Sequence, residues 1–308
     1  MNVCVTGASG FLGTHLLQRA ATDDALHVRS LTRRRAAAGG ATGRVTSVIG
    51  DLLDPATLTR FIEPGAVVVH LAYSTDAPAE TNLRAAHNLA HACATSEAAT
   101  LVHLSTAIVV GRSTDDVITE DTPSKPVGAY ERTKLRIEEI LIERLAGRCP
   151  VIVLRPTAIF GPGGRNLLKL SRELRSDSRA VGQVKASLFG RRRMNLVAVD
   201  NVAAAILFLV RGAQSHGARF IISDDEAAEN NYADVVRTLC SAFDRPEPRS
   251  IPLPFAETLL SLGLRAKGAS NTNPRRVYSA HKLAAAGFRK PIAFDAALRA
   301  FARWLRAQ

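Results

Sequence analysis

The chain has 308 residues, 46% of them apolar and 22% charged, with a formal net charge of +12 at pH 7. That supplies a core large enough for one big domain or two, and it excludes a disordered or low-complexity chain. The longest apolar run, Val202 to Val210, is far short of the ~20 residues that cross a bilayer, and the arginines are spread along the chain rather than gathered in a stripe, so neither a membrane nor a nucleic acid is expected as partner.

In chain order, the N-terminal half alternates short apolar strands with helices. Asn2–Thr6 reads as a strand and Phe11–Ala20 as a helix with Leu12, Leu16 and Leu17 on one side. His27–Thr32 and Val45–Ile49 read as strands, and Asp54–Ile62 as a helix. Ala66–Ala72 is an unbroken apolar run, the pattern of a parallel strand covered on both faces. A helix at Glu80–Ser96, a strand at Thr100–Ser105, a long helix at Tyr130–Leu145 and a strand at Val151–Leu154 continue the alternation. Strands and helices in turn predict an α/β fold with a doubly wound parallel sheet.

After Gly161-Pro162-Gly163-Gly164 the pattern changes. Asn166–Leu174 reads as a helix, and Gly182–Arg193 as basic and irregular. Asn195–Val199 is expected as a strand and Asn201–Arg211 as a helix returning to the main core. A helix at Tyr232–Phe243, an extended connector RPEPRSIPLP and a last helix at Phe294–Ala307 complete the reading. The four cysteines stand far apart with no C-x-x-C pair, so no metal site is expected; Cys4 and Cys93 are expected in the core.

Three glycines, Gly7, Gly10 and Gly13, lie between the first strand and the first helix. In that context Gly7 permits a tight turn, Gly10 lets backbone amides approach a pyrophosphate, and Gly13 lets the helix pack closely. The helix N-terminus, with Ser9, Phe11 and Leu12 around it, offers free N–H groups and the positive dipole end to the phosphate. The spacing is G-x-x-G-x-x-G. At the end of the second strand, where a carboxylate would hold the ribose 2′-hydroxyl of NAD, stand Arg33 and Arg34. Arginine attracts a 2′-phosphate, so NADP is favoured, with NAD as the alternative; a solvated basic turn is the plainer reading. Asp51, beside Leu52, is placed to accept from the adenine amino group, since Asp54 before Pro55 is the better helix cap. These features define a Rossmann dinucleotide-binding domain at 1–163, with a return at about 195–225, and a smaller mixed α/β C-terminal substrate lobe, mainly 164–308.

YERTK places Tyr130 and Lys134 four apart, on one face of a helix. A phenol is a poor base near neutral pH, but a neighbouring ammonium favours the phenolate. Lys134 is expected to lower the Tyr130 pKa and to hydrogen-bond the nicotinamide ribose, and Tyr130 to exchange a proton with a substrate hydroxyl or carbonyl. Taken alone, Y-x-x-x-K is a weak signal.

The segments TGASGFLG, GDLLD, VVHLA, LVHLSTAIVVG, YERTK, LRPTAIFGPG and MNLVAVDNVAAAI follow one another in an order and spacing that resembles the extended short-chain dehydrogenase/reductases, in their branch of NAD(P)-dependent sugar-nucleotide epimerases, dehydratases and reductases. The resemblance implies that Thr106 orients the reacting oxygen toward Tyr130, that Leu71 and Ala72 touch the cofactor through their backbone, and that Asn82 is the family's helix asparagine. It implies that Arg155-Pro156 opens the loop over the nicotinamide, with Pro156 a cofactor contact, and that one of Arg191, Arg192 and Arg193 holds a substrate diphosphate. It also implies a homodimer; the short apolar runs and the widely spaced cysteines are those expected of a cytoplasmic enzyme. Val110 stands where many members have tyrosine, which departs from the galactose-type epimerases, and Ala107 and Ile108 after Thr106 lack the acid pair that dehydration needs. A ketoreductase or hydroxyl dehydrogenase acting on a steroid- or flavonoid-like substrate is the alternative, and an NADP-binding regulatory protein without turnover is the alternative of another class.

Overall fold

A computed structural model describes residues 1–33, 44–212 and 216–308. In chain order the elements are β1 (Asn2–Thr6), α1 (Phe11–Ala20), β2 (His27–Thr32), β3 (Val45–Ile49), α2 (Pro55–Phe61), β4 (Val67–His70), α3 (Ala79–Thr95) and β5 (Thr100–Leu104). A 3₁₀ turn at Ala107–Val110, β6 (Val117–Ile118), α4 (Ala129–Leu145), β7 (Val151–Pro156), β8 (Ala158–Phe160), α5 (Leu168–Ser176) and α6 (Arg179–Phe189) follow. The chain continues through β9 (Leu196–Ala198), α7 (Val199–Arg211), β10 (Ala218–Ile222), α8 (Tyr232–Ala242), α9 (Ala256–Ala266), β11 (Val277–Tyr278), α10 (His281–Ala285) and α11 (Phe294–Arg306).

The chain divides into two compact units. The first comprises Met1–Thr106, Ala129–Arg155 and Val202–Phe220. Its framework is a seven-stranded sheet in the order β10-β7-β5-β4-β1-β2-β3. The pairs β1–β2, β1–β4, β2–β3, β4–β5 and β5–β7 are all parallel. This is the Rossmann-like order, reversing between β1 and β4, and such a reversal opens a crevice at the carboxyl ends of the strands. The central strands are continuous apolar runs because both faces are covered: all four residues of β4 and all six of β7 are buried. Edge strand β3 has a buried Val45 and an exposed Ile49. Helix α1 buries Leu12, Leu16 and Ala20, one turn apart, and Asp54 caps α2 by accepting from the Ala56 N–H at 3.0 Å, with Pro55 in the first turn. Cys4, Cys93 and Cys149 sit in one apolar cluster between this sheet and its helices.

The second unit comprises Ala107–Gly128, Pro156–Asn201 and Ile221–Gln308. Two small parallel pairs, β8–β9 and β6–β11, belong to it. Its core gathers Phe160, Leu196, Val235, Leu239 and the face of α11 carrying Phe294, Leu298, Phe301 and Leu305, with Trp304 packed beside them. Residues 182–193, expected as irregular, are largely helix: Ser178 caps the start of α6 by accepting from the Val181 N–H, and Gly190, with φ +47°, follows its last residue. The helical signal is weak there because only Ala186 and Ser187 are buried, while Val181 and Val184 face solvent. Helix α9 escaped the reading for a similar reason: of its residues only Leu260 is buried.

Candidate active site

The turn after β1 is built by its glycines. Gly7 has φ +76°, and a Cβ on it would lie 2.6 Å from the Ala72 nitrogen, so only glycine fits. A Cβ on Gly13 would meet the Gly7 carbonyl oxygen at 2.3 Å, so the start of α1 presses against the turn's own backbone. Helix α1 then begins at Gly10 with no side-chain cap and no acidic residue in its first turn. Its first N–H groups are left for a ligand, and the dipole selects an anion.

That helix end faces a cavity of about 370 Å³ at the strand ends of the first unit. Of the residues assigned to the cofactor from sequence, Gly7, Ser9, Gly10, Arg33, Asp51, Leu52, Leu71 and Ala72 line it. Asp51 Oδ1 accepts from the Leu53 N–H at 2.8 Å, which fixes the carboxylate at the cavity wall. Arg33 is exposed at the end of β2 and lines the same cavity, with Thr32 and no carboxylate beside it on that strand. Arg34 lies outside the described residues. Phe11 and Leu12 do not line the cavity: the Phe11 ring packs edge-on against His15, and Leu12 is 7% exposed in the core. Pro156 ends β7.

Two further residues shape the cavity. Asn82 is buried on α3, where its side chain donates to the Ser74 carbonyl and accepts from the Ser74 N–H, both at 2.9 Å. It thereby pins the turn that follows β4. Tyr73 of that turn was missed by sequence reasoning; its position directly after HLA was the available signal.

Tyr130 meets Thr106, and Lys134 stands one turn further along the same helix. Tyr130 opens α4, is 40% exposed and shares a side-chain hydrogen bond with Thr106, which is 8% exposed. Lys134, one turn on, is 3% exposed and donates to the Leu104 carbonyl at 2.6 Å. Its ammonium lies 5.2 Å from the centroid of the Tyr73 ring, and Tyr73 in turn meets Tyr130 edge-on at 5.1 Å. The electrostatics differ from the expectation. Burial and the neighbouring Tyr73 push the Tyr130 phenol up to about 12, opposed only by the Thr106 hydrogen bond. The Lys134 ammonium itself is engaged by a backbone carbonyl and the Tyr73 ring. Burial holds Lys134 itself down to about 8, with Glu138 opposing that fall.

Glu138, a further turn along α4, is fully buried and was also missed. Arg155 at the end of β7 donates to it twice, Nε to Oε1 at 3.0 Å and Nη2 to Oε2 at 2.6 Å, and Ser105 donates to Oε1 as well. The spacing 130, 134, 138 on one helix face was the signal that could have found it.

In the second unit, the three consecutive arginines part company. Arg191 is largely exposed and pairs with Asp234 at 3.5 Å. Arg193 donates to the Ala227 carbonyl at 3.1 Å. Arg192 is half-buried, burial lowers its pKa, and no hydrogen bond or ion pair joins its guanidinium among the described residues.

The cradle fits a dinucleotide on its own chemistry: a turn that only glycine can make, an uncapped helix end, and a wall of backbone at Leu71 and Ala72. The family model for the NAD dependent epimerase/dehydratase family matches residues 3–223. A dTDP-4-dehydrorhamnose reductase of Mycobacterium tuberculosis is 29% identical over 272 residues, 80% of this chain and 82% of that protein. A 2-alkyl-3-oxoalkanoate reductase of Stenotrophomonas maltophilia is 26% identical over 262 residues, covering 80% and 77%. An Arabidopsis thaliana protein named for UDP-arabinose 4-epimerase is 25% identical over 275 residues, 81% of this chain but only 59% of that longer protein. Among solved structures, the UDP-glucuronic acid 4-epimerase of Bacillus cereus in complex with NAD has the same fold, with a TM-score of 0.72 at 19% identity over 100% of this chain and 99% of that one. The chain belongs to the NAD-dependent epimerase/dehydratase family and is an enzyme of the extended short-chain dehydrogenase/reductase type.

Proposed function

We propose that the enzyme acts on a hydroxyl or carbonyl group of a nucleotide-activated sugar, as an epimerase or reductase, with Tyr130 as proton donor and acceptor. The observation that carries this reading is the contact of Tyr130 with Thr106, with the buried ammonium of Lys134 one helical turn on and the Tyr73 ring touching both. Thr106 holds the phenolic hydroxyl in place and orients the reacting substrate oxygen. Lys134 supplies a fixed positive charge one helical turn away, and its hydrogen bond to Leu104 keeps it from leaving the site. Gly7, Gly10, Asp51, Leu71 and Ala72 hold the dinucleotide, which when bound supplies the hydride acceptor and donor. Arg33 selects the form carrying a 2′-phosphate. Arg192 is the arginine of the three that takes the substrate diphosphate, since Arg191 and Arg193 already have partners. Ala107 is fully buried and apolar directly after Thr106, which disfavours a dehydratase.

A second reading, reduction of a non-nucleotide ketone, is favoured by the match to the 2-alkyl-3-oxoalkanoate reductase, whose coverage equals that of the dTDP-4-dehydrorhamnose reductase on this chain. The two readings part in a thermal-shift panel with NAD or NADP present. UDP-, GDP- and dTDP-sugars should raise the melting temperature of the wild type and do so less in Arg192→Ala. A response to β-keto acids alone would reject the nucleotide-sugar reading.

A further inference from the structure

Three consecutive residues at the end of β5 each grip helix α4. Leu104 accepts from Lys134, Ser105 donates to Glu138, and Thr106 hydrogen-bonds Tyr130. Their partners stand at 130, 134 and 138, one helical turn apart on a single face. The rungs at 130 and 134 hold the groups assigned above to substrate and cofactor. The rung at 138 holds a fully buried carboxylate.

We propose that Glu138 is a positioning residue: clamped by Arg155 and Ser105, it sets the register of α4 against β5 and serves as the buried counter-charge that keeps Lys134 an ammonium. The inference rests on the proposed roles of Tyr130 and Lys134. A buried carboxylate is tolerated when its lone pairs are filled and a cation balances it. Arg155 meets both conditions in a two-pronged contact, and its own side chain is 3% exposed. Arg219 adds a weaker cation at 3.7 Å from the edge of the unit.

Among the described residues, the other titratable groups around Lys134 are buried histidines, two phenols and Glu131, a buried carboxylate one turn back on α4. His70 of β4 and His103 of β5 are both buried, stack at 5.3 Å and are held neutral by burial. Tyr73 is a neutral phenol whose pKa burial raises, and Tyr130 is pushed the same way. Glu138, one turn on from Lys134, raises the Lys134 pKa. Without it, an ammonium that burial already destabilises would lose its proton at lower pH.

The test is a titration of Lys134 by NMR in protein carrying isotope-labelled lysine side chains, the signal being assigned by its loss in Lys134→Met. In Glu138→Gln the midpoint should fall by about one pH unit, a tenfold change in acid dissociation. Glu138→Asp, which keeps the charge, should restore most of the difference. Because Glu138→Gln leaves Arg155 without its partner, the double variant Glu138→Leu with Arg155→Met is the second probe; it removes a cation along with the carboxylate and should show a smaller fall in the same direction. An unchanged midpoint in either folded variant would overturn the proposal, and so would failure of both to fold, which would make the pair a folding element alone. The readout needs no substrate, so it stands apart from the turnover test of Tyr130.

Discussion

Lys134→Met should reveal how much stability the fold gives up to keep an ammonium in its core. Lys134 is 3% exposed, and its pKa is about 8 in the folded chain against 10.5 for an ordinary lysine. At about 1.4 kcal/mol for each tenfold change, that difference amounts to about 3 kcal/mol. Below pH 8 the folded and unfolded chains both carry the proton, and the full cost of burying the charge is present. Between pH 8 and 10.5 the folded chain has released the proton while the unfolded chain still binds it. Stability of the wild type must therefore rise with pH through this window. Methionine has no such proton, so the stability of the wild type minus that of Lys134→Met should climb by about 3 kcal/mol from pH 8 to pH 10.5. Urea unfolding of both proteins at intervals across that range gives the difference directly, and the other titrating groups largely cancel in it. A flat or falling difference would show that Lys134 is not held at a depressed pKa, and the electrostatic account of the site would fail with it.

Gly7→Ala should cost about 1–3 kcal/mol in stability from the left-handed backbone alone, plus the clash with Ala72, and should abolish cofactor binding measured by NADH fluorescence. Asn82→Ala removes two hydrogen bonds to the Ser74 backbone and should destabilise by about 1–3 kcal/mol in denaturant, with weaker cofactor binding because the turn after β4 is released. Arg33→Ala should reduce affinity for NADPH while leaving NADH affinity nearly unchanged; an unaltered ratio of the two dissociation constants would remove Arg33 from cofactor selection.

Much of the first unit was legible because its signals are local. The unbroken apolar run at residues 66–72 encodes a strand covered on both faces, and the glycines encode a turn whose φ and packing admit nothing else. Asp54 and Pro55 mark the start of α2. The second unit was harder. Helix α6 and helix α9 each bury few side chains, so their periodicity is faint beside the glycine and proline around them. At the site, residue identities were readable but electrostatics were not. That Lys134 would turn to the Leu104 carbonyl depends on where β5 ends, and that Tyr73 would stand between lysine and phenol depends on the turn Asn82 holds. Glu138 looked like one more charge on an amphipathic helix until Arg155, 17 residues away, was brought against it.

The central claim is that Tyr130 moves the proton. It is tested most directly by comparing wild type with Tyr130→Phe on whichever nucleotide sugar the thermal-shift panel selects, with the NAD(P) affinity of each measured alongside. The account predicts a fall in turnover of about 10²–10⁴-fold with cofactor affinity preserved. A Phe variant that turns over at the wild-type rate would contradict it.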